Sequence, residues 1–316
     1  MKRFFWVALT AVVAMVVSCQ KENNFLTGAG RTTVRLSVVA PSDAQTKTIA
    51  DGRTVNCVYW AAFDENNNPV DGLAGKEIMS DKTATFDVQL VKDYPYNFVF
   101  WAQYENAYGV QDAYDLAAFV SLAKVEVDYE GLANDEYRDA FCKQEIIKIN
   151  SAGESRTVEL RRPFAQINFL AADYKSVEEV EVHKSLKSTV AIDGLPTVLN
   201  LLDGSVEGSA STVLSATAVP TDPAYYTVHG AQYGWYSMNY VLAADQKRLN
   251  TVTATFTHDK SANPVVIPVE NVPYQRNYRT NIIGNFLTEI AEVKVVVFEK
   301  FEEPDYDIDE KGDPIQ

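Results

Sequence analysis

Thr32-Thr33-Val34-Arg35-Leu36-Ser37-Val38-Val39 places Val34, Leu36 and Val38 on one side of an extended chain and Arg35 and Ser37 on the other. Alternation of period two is the mark of a strand with one buried face. The same kind of run returns at Val55–Phe63, Thr83–Leu90, Tyr94–Gln103, Ile146–Asn150 and Arg156–Leu160. It returns again from Phe164, where Pro163 stands at the strand entry and its missing N–H is tolerated. Further runs are Val177–His183, Tyr225–Val228, Trp235–Leu242, Asn250–His258, Val265–Val269, Tyr278–Leu287 and Glu292–Phe298. Between them lie turn signals: Asp64 to Pro69, Asp193-Gly194, Asp203-Gly204 and Ala262-Asn263-Pro264. A short helix is expected within Tyr114–Lys124, and the acidic, Pro-broken end after Glu302 reads as a flexible tail or a weak last strand. Many short strands and few helical windows predict an all-β chain of β-sandwiches. The change from loop to strand at Leu160–Pro163 sets the expected boundary between an N-terminal domain, 31–160, and a C-terminal domain, 161–316.

Ahead of that body, Lys2 and Arg3 precede an uncharged run from Phe4 to Val17, which reads as a secretory signal over residues 1–18. The run is shorter than the roughly 20 apolar residues of a spanning helix. It ends Val16-Val17-Ser18-Cys19, a pattern resembling a bacterial lipobox, with Cys19 as the lipid acceptor. Several acyl chains on one cysteine give stable anchoring where a single chain gives marginal binding. Residues 19–30 continue as a polar tether with too little apolar surface to fold.

The chain has 28 Lys and Arg against 43 Asp and Glu, a formal charge of −15. Such a surface repels polyanions, so nucleic acid is excluded as a partner. Besides Cys19, Cys57 and Cys142 remain. In an oxidising compartment they could form one disulfide; beside Tyr59 and Phe141 they could equally be two buried thiols.

No catalytic constellation stands out. His183, His229 and His258 lack any metal-ligand spacing, and neither a nucleophile elbow, a P-loop nor a dinucleotide fingerprint occurs. Asp64-Glu65-Asn66-Asn67-Asn68 starts like a calcium loop, but Pro69 stands where the bend needs Gly and Gly75 where a bidentate Glu belongs, so it is expected to be a hairpin turn. Asp305, Asp307 and Asp309 read as a solvated acidic end. Tyr233-Gly234-Trp235-Tyr236 could stack on sugar, yet aromatics in strands chiefly pack cores. The expectation is a non-enzyme with no cofactor and no metal.

Two segments resemble a known family. Leu160-Arg161-Arg162-Pro163-Phe164-Ala165-Gln166-Ile167-Asn168-Phe169 and Val272-Pro273-Tyr274-Gln275-Arg276-Asn277-Tyr278-Arg279-Thr280-Asn281-Ile282-Ile283-Gly284-Asn285-Phe286-Leu287-Thr288 are similar to segments of fimbrillin-like lipoproteins of the Bacteroidales, the type V pilin superfamily. The order of lipobox, tether, strand, basic loop, aromatic strand and second domain agrees with them. The resemblance implies two transthyretin-like Greek-key β-sandwich domains and an outer-membrane, surface-exposed subunit of a fimbrium, or pilus. It also implies assembly by strand exchange. A trypsin-like protease cuts after a basic residue in the loop behind the first strand, that strand leaves, and a strand of another pilin subunit takes its place. Here the departing strand would be the one carrying Thr32, Val34, Leu36 and Val38, and the cut would follow Lys47 or Arg53. Lys47 stands where the best-known members carry Arg. The charged end after Glu302 makes a poor apolar plug for a stalk pilin. The alternative reading is a lipoprotein that does not polymerise and binds a glycan or host ligand.

Overall fold

A computed structural model describes residues 30–41, 52, 54–105, 114–130, 133–174, 186–216, 225–228, 230–259, 261–286, 293–298 and 306–307. The strands in chain order are β1 (Arg31–Val39), β2 (Cys57–Phe63), β3 (Pro69–Ile78), β4 (Thr83–Val91), β5 (Pro95–Gln103), β6 (Tyr114–Asp115) and β7 (Lys124–Val127). They continue as β8 (Phe141–Lys148), β9 (Ser155–Glu159), β10 (Phe164–Ala171), β11 (Lys187–Leu195), β12 (Val198–Asn200), β13 (Val206–Glu207) and β14 (Ala210–Ala216). The last are β15 (Tyr225–Val228), β16 (Ala231–Leu242), β17 (Arg248–His258), β18 (Ser261–Tyr274), β19 (Arg279–Gly284), β20 (Val293–Phe298) and β21 (Tyr306–Asp307). The fold is all-β, as the alternation predicts. No helix among the described residues is long and apolar enough to cross a membrane.

Two sandwiches are built on one plan. In the first, the sheet β4-β1-β9 faces the sheet β3-β2-β5-β8. In the second, the strands β16-β10-β19 face β14-β11-β17-β18. In both, the first strand lies between an antiparallel partner and a parallel one: β1 between β4 and β9, β10 between β16 and β19. The second sandwich continues its three strands outward, with β15 beyond β16 and β20-β21 beyond β19.

The cores follow from the strand faces. Val34, Leu36 and Val38 meet Trp60, Tyr96, Phe98 and Phe100 in the first core. The opposite face of the β2–β5 sheet is covered as well. Ala61, Phe63, Val99 and Trp101 belong to the larger core that contains Phe164 and Tyr240, and Trp101 meets Phe164 edge to face at 6.4 Å. The continuous apolar run Tyr94–Gln103 is legible for that reason: a strand buried on both faces loses its polar alternation.

Turn chemistry follows the sequence at Asp64 to Pro69 and at Asp203-Gly204, whereas Asp193-Gly194 lies within β11 and Ala262-Asn263-Pro264 within β18, where the expected turns are absent. Asp64 is buried between β2 and β3, and its Oδ1 accepts from the backbone N–H groups of Asn66 and Asn68 at 2.9 and 2.8 Å. The segment is the expected hairpin turn, with Asn67 at φ 61°. Gly75 lies opposite Trp60, and a Cβ there would stand 2.9 Å from the indole.

The structure differs from expectation in the helix and in several strands, and it decides between the two states left open for the cysteines. The helix within Tyr114–Lys124 is one turn only, α1 (Phe119–Leu122), because Ala123 adopts a left-handed φ of 53° and the chain re-enters a strand at Lys124. Strands β3, β11 and β14 were not expected, since Gly, Ser and Thr dilute their apolar alternation. No disulfide joins Cys57 and Cys142. Cys57 pairs with Gln103 on β5 whereas Cys142 pairs with Trp101 from β8, two strands away. Strand spacing alone then separates them by about 10 Å, beyond the reach of a bridge. The expected strand Val177–His183 lies outside the described residues.

Candidate functional site

The candidate site is β1 and the slot it fills. It pairs with β4 along its whole length, from Arg31↔Val91 to Val39↔Thr83, and with β9 from Arg35↔Ser155 to Val39↔Glu159. Val34, Leu36, Val38 and the following Ala40 are fully buried. Thr32, in register with the same face, is half-buried at the strand entrance.

The other face of β1 belongs to water. Arg35 forms an exposed ion pair with Asp87 at 3.0 Å. The Asp87 carboxyl is held below its usual range by the hydrogen bond from Arg35. Thr33 Oγ1 accepts from Gln89 Nε2 at 2.7 Å, and Ser37 Oγ accepts from Thr85 Oγ1 at 3.5 Å. These contacts fix register but hold β1 weakly, since exposed ion pairs contribute little.

The inward face supplies the adhesion. Burying a Val or Leu side chain is worth about 1.5–3 kcal/mol, so the three large residues together give roughly 5–9 kcal/mol. A typical domain has only about 5–15 kcal/mol of net stability. An empty slot between β4 and β9 is therefore not a tolerable state for the first sandwich. Its walls would also carry two rows of unpaired backbone groups, a template for another strand.

The described residues on either side of 42–51 are held in place. Ala40 N donates to Lys82 O at 2.9 Å, and Thr54 Oγ1 donates to Glu136 O at 3.0 Å. Gly52 is buried at φ +67°, where a Cβ would stand 2.8 Å from the Phe141 ring. Lys47, Arg53 and the lipidation candidate Cys19 lie outside the described residues. The structure thus assembles Thr32, Val34, Leu36 and Val38 on one strand face, and the candidate cut positions and the candidate lipid acceptor lie outside the described residues.

A second polar feature was not singled out in the sequence. Arg162, buried between the sandwiches, donates from Nε to Asp139 Oδ1 at 2.8 Å and from Nη2 to Asp139 Oδ2 at 2.9 Å. Its guanidinium lies 4.6 Å from the centre of the Phe141 ring. A basic residue at the entry of an apolar strand, Arg162 before Pro163-Phe164, is the signal that could have pointed to it. Among the described residues no group of three or more His, Cys, Asp or Glu is placed to hold a metal ion. Trp235 and Tyr236 of the aromatic cluster are buried and pack the core.

Comparison with known proteins gives distant matches. A fimbrial assembly protein from Parabacteroides distasonis is 15% identical with a TM-score of 0.47, over 84% of this chain and 95% of that one. A C-terminally truncated tip fimbrial protein from Porphyromonas gingivalis is 14% identical with a TM-score of 0.45, over 84% of this chain and 99% of that one. No curated protein matches. One family model spans nearly the whole body, residues 26–315, and on that match the chain belongs to the family of unknown function DUF6562.

Proposed function

We propose that this chain is a structural or adhesive subunit of a surface fimbrium, divided into domains at Leu160/Arg161 and assembled by exchange of β1. The observation that carries the reading is the form of β1: first in its sandwich, central in its sheet, apolar on one face and wet on the other. Removal of such a strand needs one cut in the segment behind it, and Lys47 and Arg53 are the basic residues there. An accessible loop is where a protease can act. The incoming strand would run antiparallel to β4 and parallel to β9 and present apolar side chains at alternate positions. β20, with Val293, Val295 and Val297, is the candidate donor from a neighbouring subunit; it would give up its pairing with β19, and among the described residues only the two of β21 pair with its outer side.

The resemblance of the two motif segments to fimbrillin-like lipoproteins supports the same reading, and the fimbrial names of the two similar solved structures agree with it. Attachment to the outer membrane would be through acyl chains on Cys19. The test is the N-terminus and intact mass of the protein recovered from the native cell surface. A start at Thr48 or Thr54 is expected. A start at acylated Cys19 throughout, filaments included, rejects the exchange mechanism and leaves an anchor subunit or a solitary ligand-binding lipoprotein.

A further inference from the structure

A cleft of about 300 Å³ opens at the seam of the two sandwiches, away from β1, between β8 and the loops after β12 and β18. Its lining reverses the charge of the molecule. Lys143, Arg161, Arg162 and Arg276 face Asp203 and Asp245, in a chain where acids outnumber bases 43 to 28.

The positive side is not cancelled from within. Arg162 is neutralised by Asp139, as described above. Arg276 is held chiefly by uncharged groups: its Nε donates to Ala243 O at 3.0 Å and its Nη2 to Gly204 O at 2.6 Å. Gly204 has φ +74°, and a Cβ there would come within 3.1 Å of Arg276 Nη1, so the glycine makes room for the guanidinium. The ion pair of Arg276 with Asp245 spans 3.4 Å, and the Asp245 side chain is 78% exposed, where water screens it. Arg161 and Lys143 have no ion-pair partner among the described residues. Arg161 pairs with Cys142 across an isolated antiparallel bridge, which turns both side chains to the same face. Asp203 is occupied by its own turn, accepting from Ser205 N at 2.8 Å.

The rest of the cleft is largely apolar, with Gln144 as the polar exception. Leu201 and Leu202 line it with the partly buried Cys142. Burial pushes the Cys142 thiol up to about 12 despite Arg276 nearby, so it offers a nonpolar surface and no nucleophile. Clefts at domain seams that combine an apolar floor with a few fixed polar groups are the usual form of small-ligand sites.

We infer that this cleft binds a small organic carboxylate, its charge on Arg161 and Arg276 and its apolar body against Leu201 and Leu202. The inference does not depend on strand exchange, because no residue of β1, β4 or β9 lines the cleft.

The probe is octanoate, titrated into the full-length chain by calorimetry and followed by amide chemical shifts. Acetate supplies the charge without the body, and octanol the body without the charge. Saturable octanoate binding is expected, stronger than either control, with shifts at Cys142, Arg161 and Leu202. Arg161→Glu should weaken it by at least about tenfold, as loss and reversal of one charge contact requires, whereas Arg161→Lys should retain it. Arg161 is exposed, so an unchanged circular dichroism spectrum and melting curve will show that the variant folds. Leu202→Asn is the second variant and should weaken octanoate while leaving acetate alone. Absence of saturable octanoate binding, equal binding of acetate or octanol, or indifference to Arg161→Glu would overturn the inference.

Discussion

β1 and β10 hold the same place in two sandwiches of the same topology, yet they are built from opposite materials. β1 is buried on one face and wet on the other, and neither β4 nor β9 has a further described strand outside it in their sheet. Every residue of β10 is buried, and its sheet is extended on both sides, by β15 and by β20-β21. Even the polar residues of β10 are locked inside. Asn168 Nδ2 donates to Asn281 Oδ1 at 2.8 Å, and Arg279 Nε donates to Gln166 Oε1 at 2.9 Å. The difference shows that topology alone does not decide how deeply a strand is committed to the core. What matters is whether its second face is committed to the interior. Removing β1 would break one layer of side-chain contacts, whereas β10 is packed on both faces.

The largest expected effect separates the two strands directly. A chain starting at Thr48 should lose more than about 5 kcal/mol from the first sandwich, and a synthetic peptide spanning Arg31–Ala40, added in trans, should restore it. Thermal melting and native mass spectrometry read both; a shortened chain as stable as the whole one would break the comparison. Next is the seam. Asp139→Ala leaves Arg162 charged and buried and should cost about 3–5 kcal/mol, with part recovered in the double variant Asp139→Ala/Arg162→Met. Denaturant unfolding watched from both sandwiches will show whether they fall together.

A matched pair of glycines gives a smaller effect. A Cβ at Gly75 would stand 2.9 Å from the Trp60 indole, and one at Gly234 would stand 2.7 Å from Tyr174 Cβ. Each change to Ala should cost about 1–3 kcal/mol by overpacking. If the sandwiches unfold separately, each variant shifts only one calorimetric transition. The smallest effect is on acid stability. Burial raises the Asp64 carboxyl, but the hydrogen bonds from Asn68 and Asn66 outweigh it and leave the group below its usual value. Its contribution is therefore present above the unfolded-state value and fades as the pH falls through the folded one. Asp64→Ala should flatten the acid limb of a melting-temperature profile for the first sandwich, and a profile parallel to wild type would refute the assignment.

These contrasts explain how far the sequence could be read. β1 is legible because one face touches water, and Tyr94–Gln103 because neither face does. β11 and β14 are rich in Ser, Thr and Ala, and what buries them is set by strands far along the chain. The segment Asp115 to Lys124 carries helical spacing, but a left-handed residue at Ala123 ends the helix after one turn. The shared plan of the sandwiches left no residue-level repeat, since equivalent pairings can be made by unlike side chains. Of the candidate site, the apolar face of the strand was readable. The buried Arg162–Asp139 pair was not, because its partners lie 23 residues apart and meet only in the fold.

The parallel pairing of β1 with β9 also sets an order of events. Arg35 lies opposite Ser155, so the first strand of the body cannot complete its place until the last strand of its sandwich exists. Contacts of such long sequence separation form slowly, because closing the large loop costs entropy before any contact rewards it. β1 is expected to dock late in folding, with little of its pairing made at the rate-limiting step. Interactions absent from that step act mainly on the unfolding rate. The strand synthesised first is thus the last to settle, and its residence time is set by how fast it escapes.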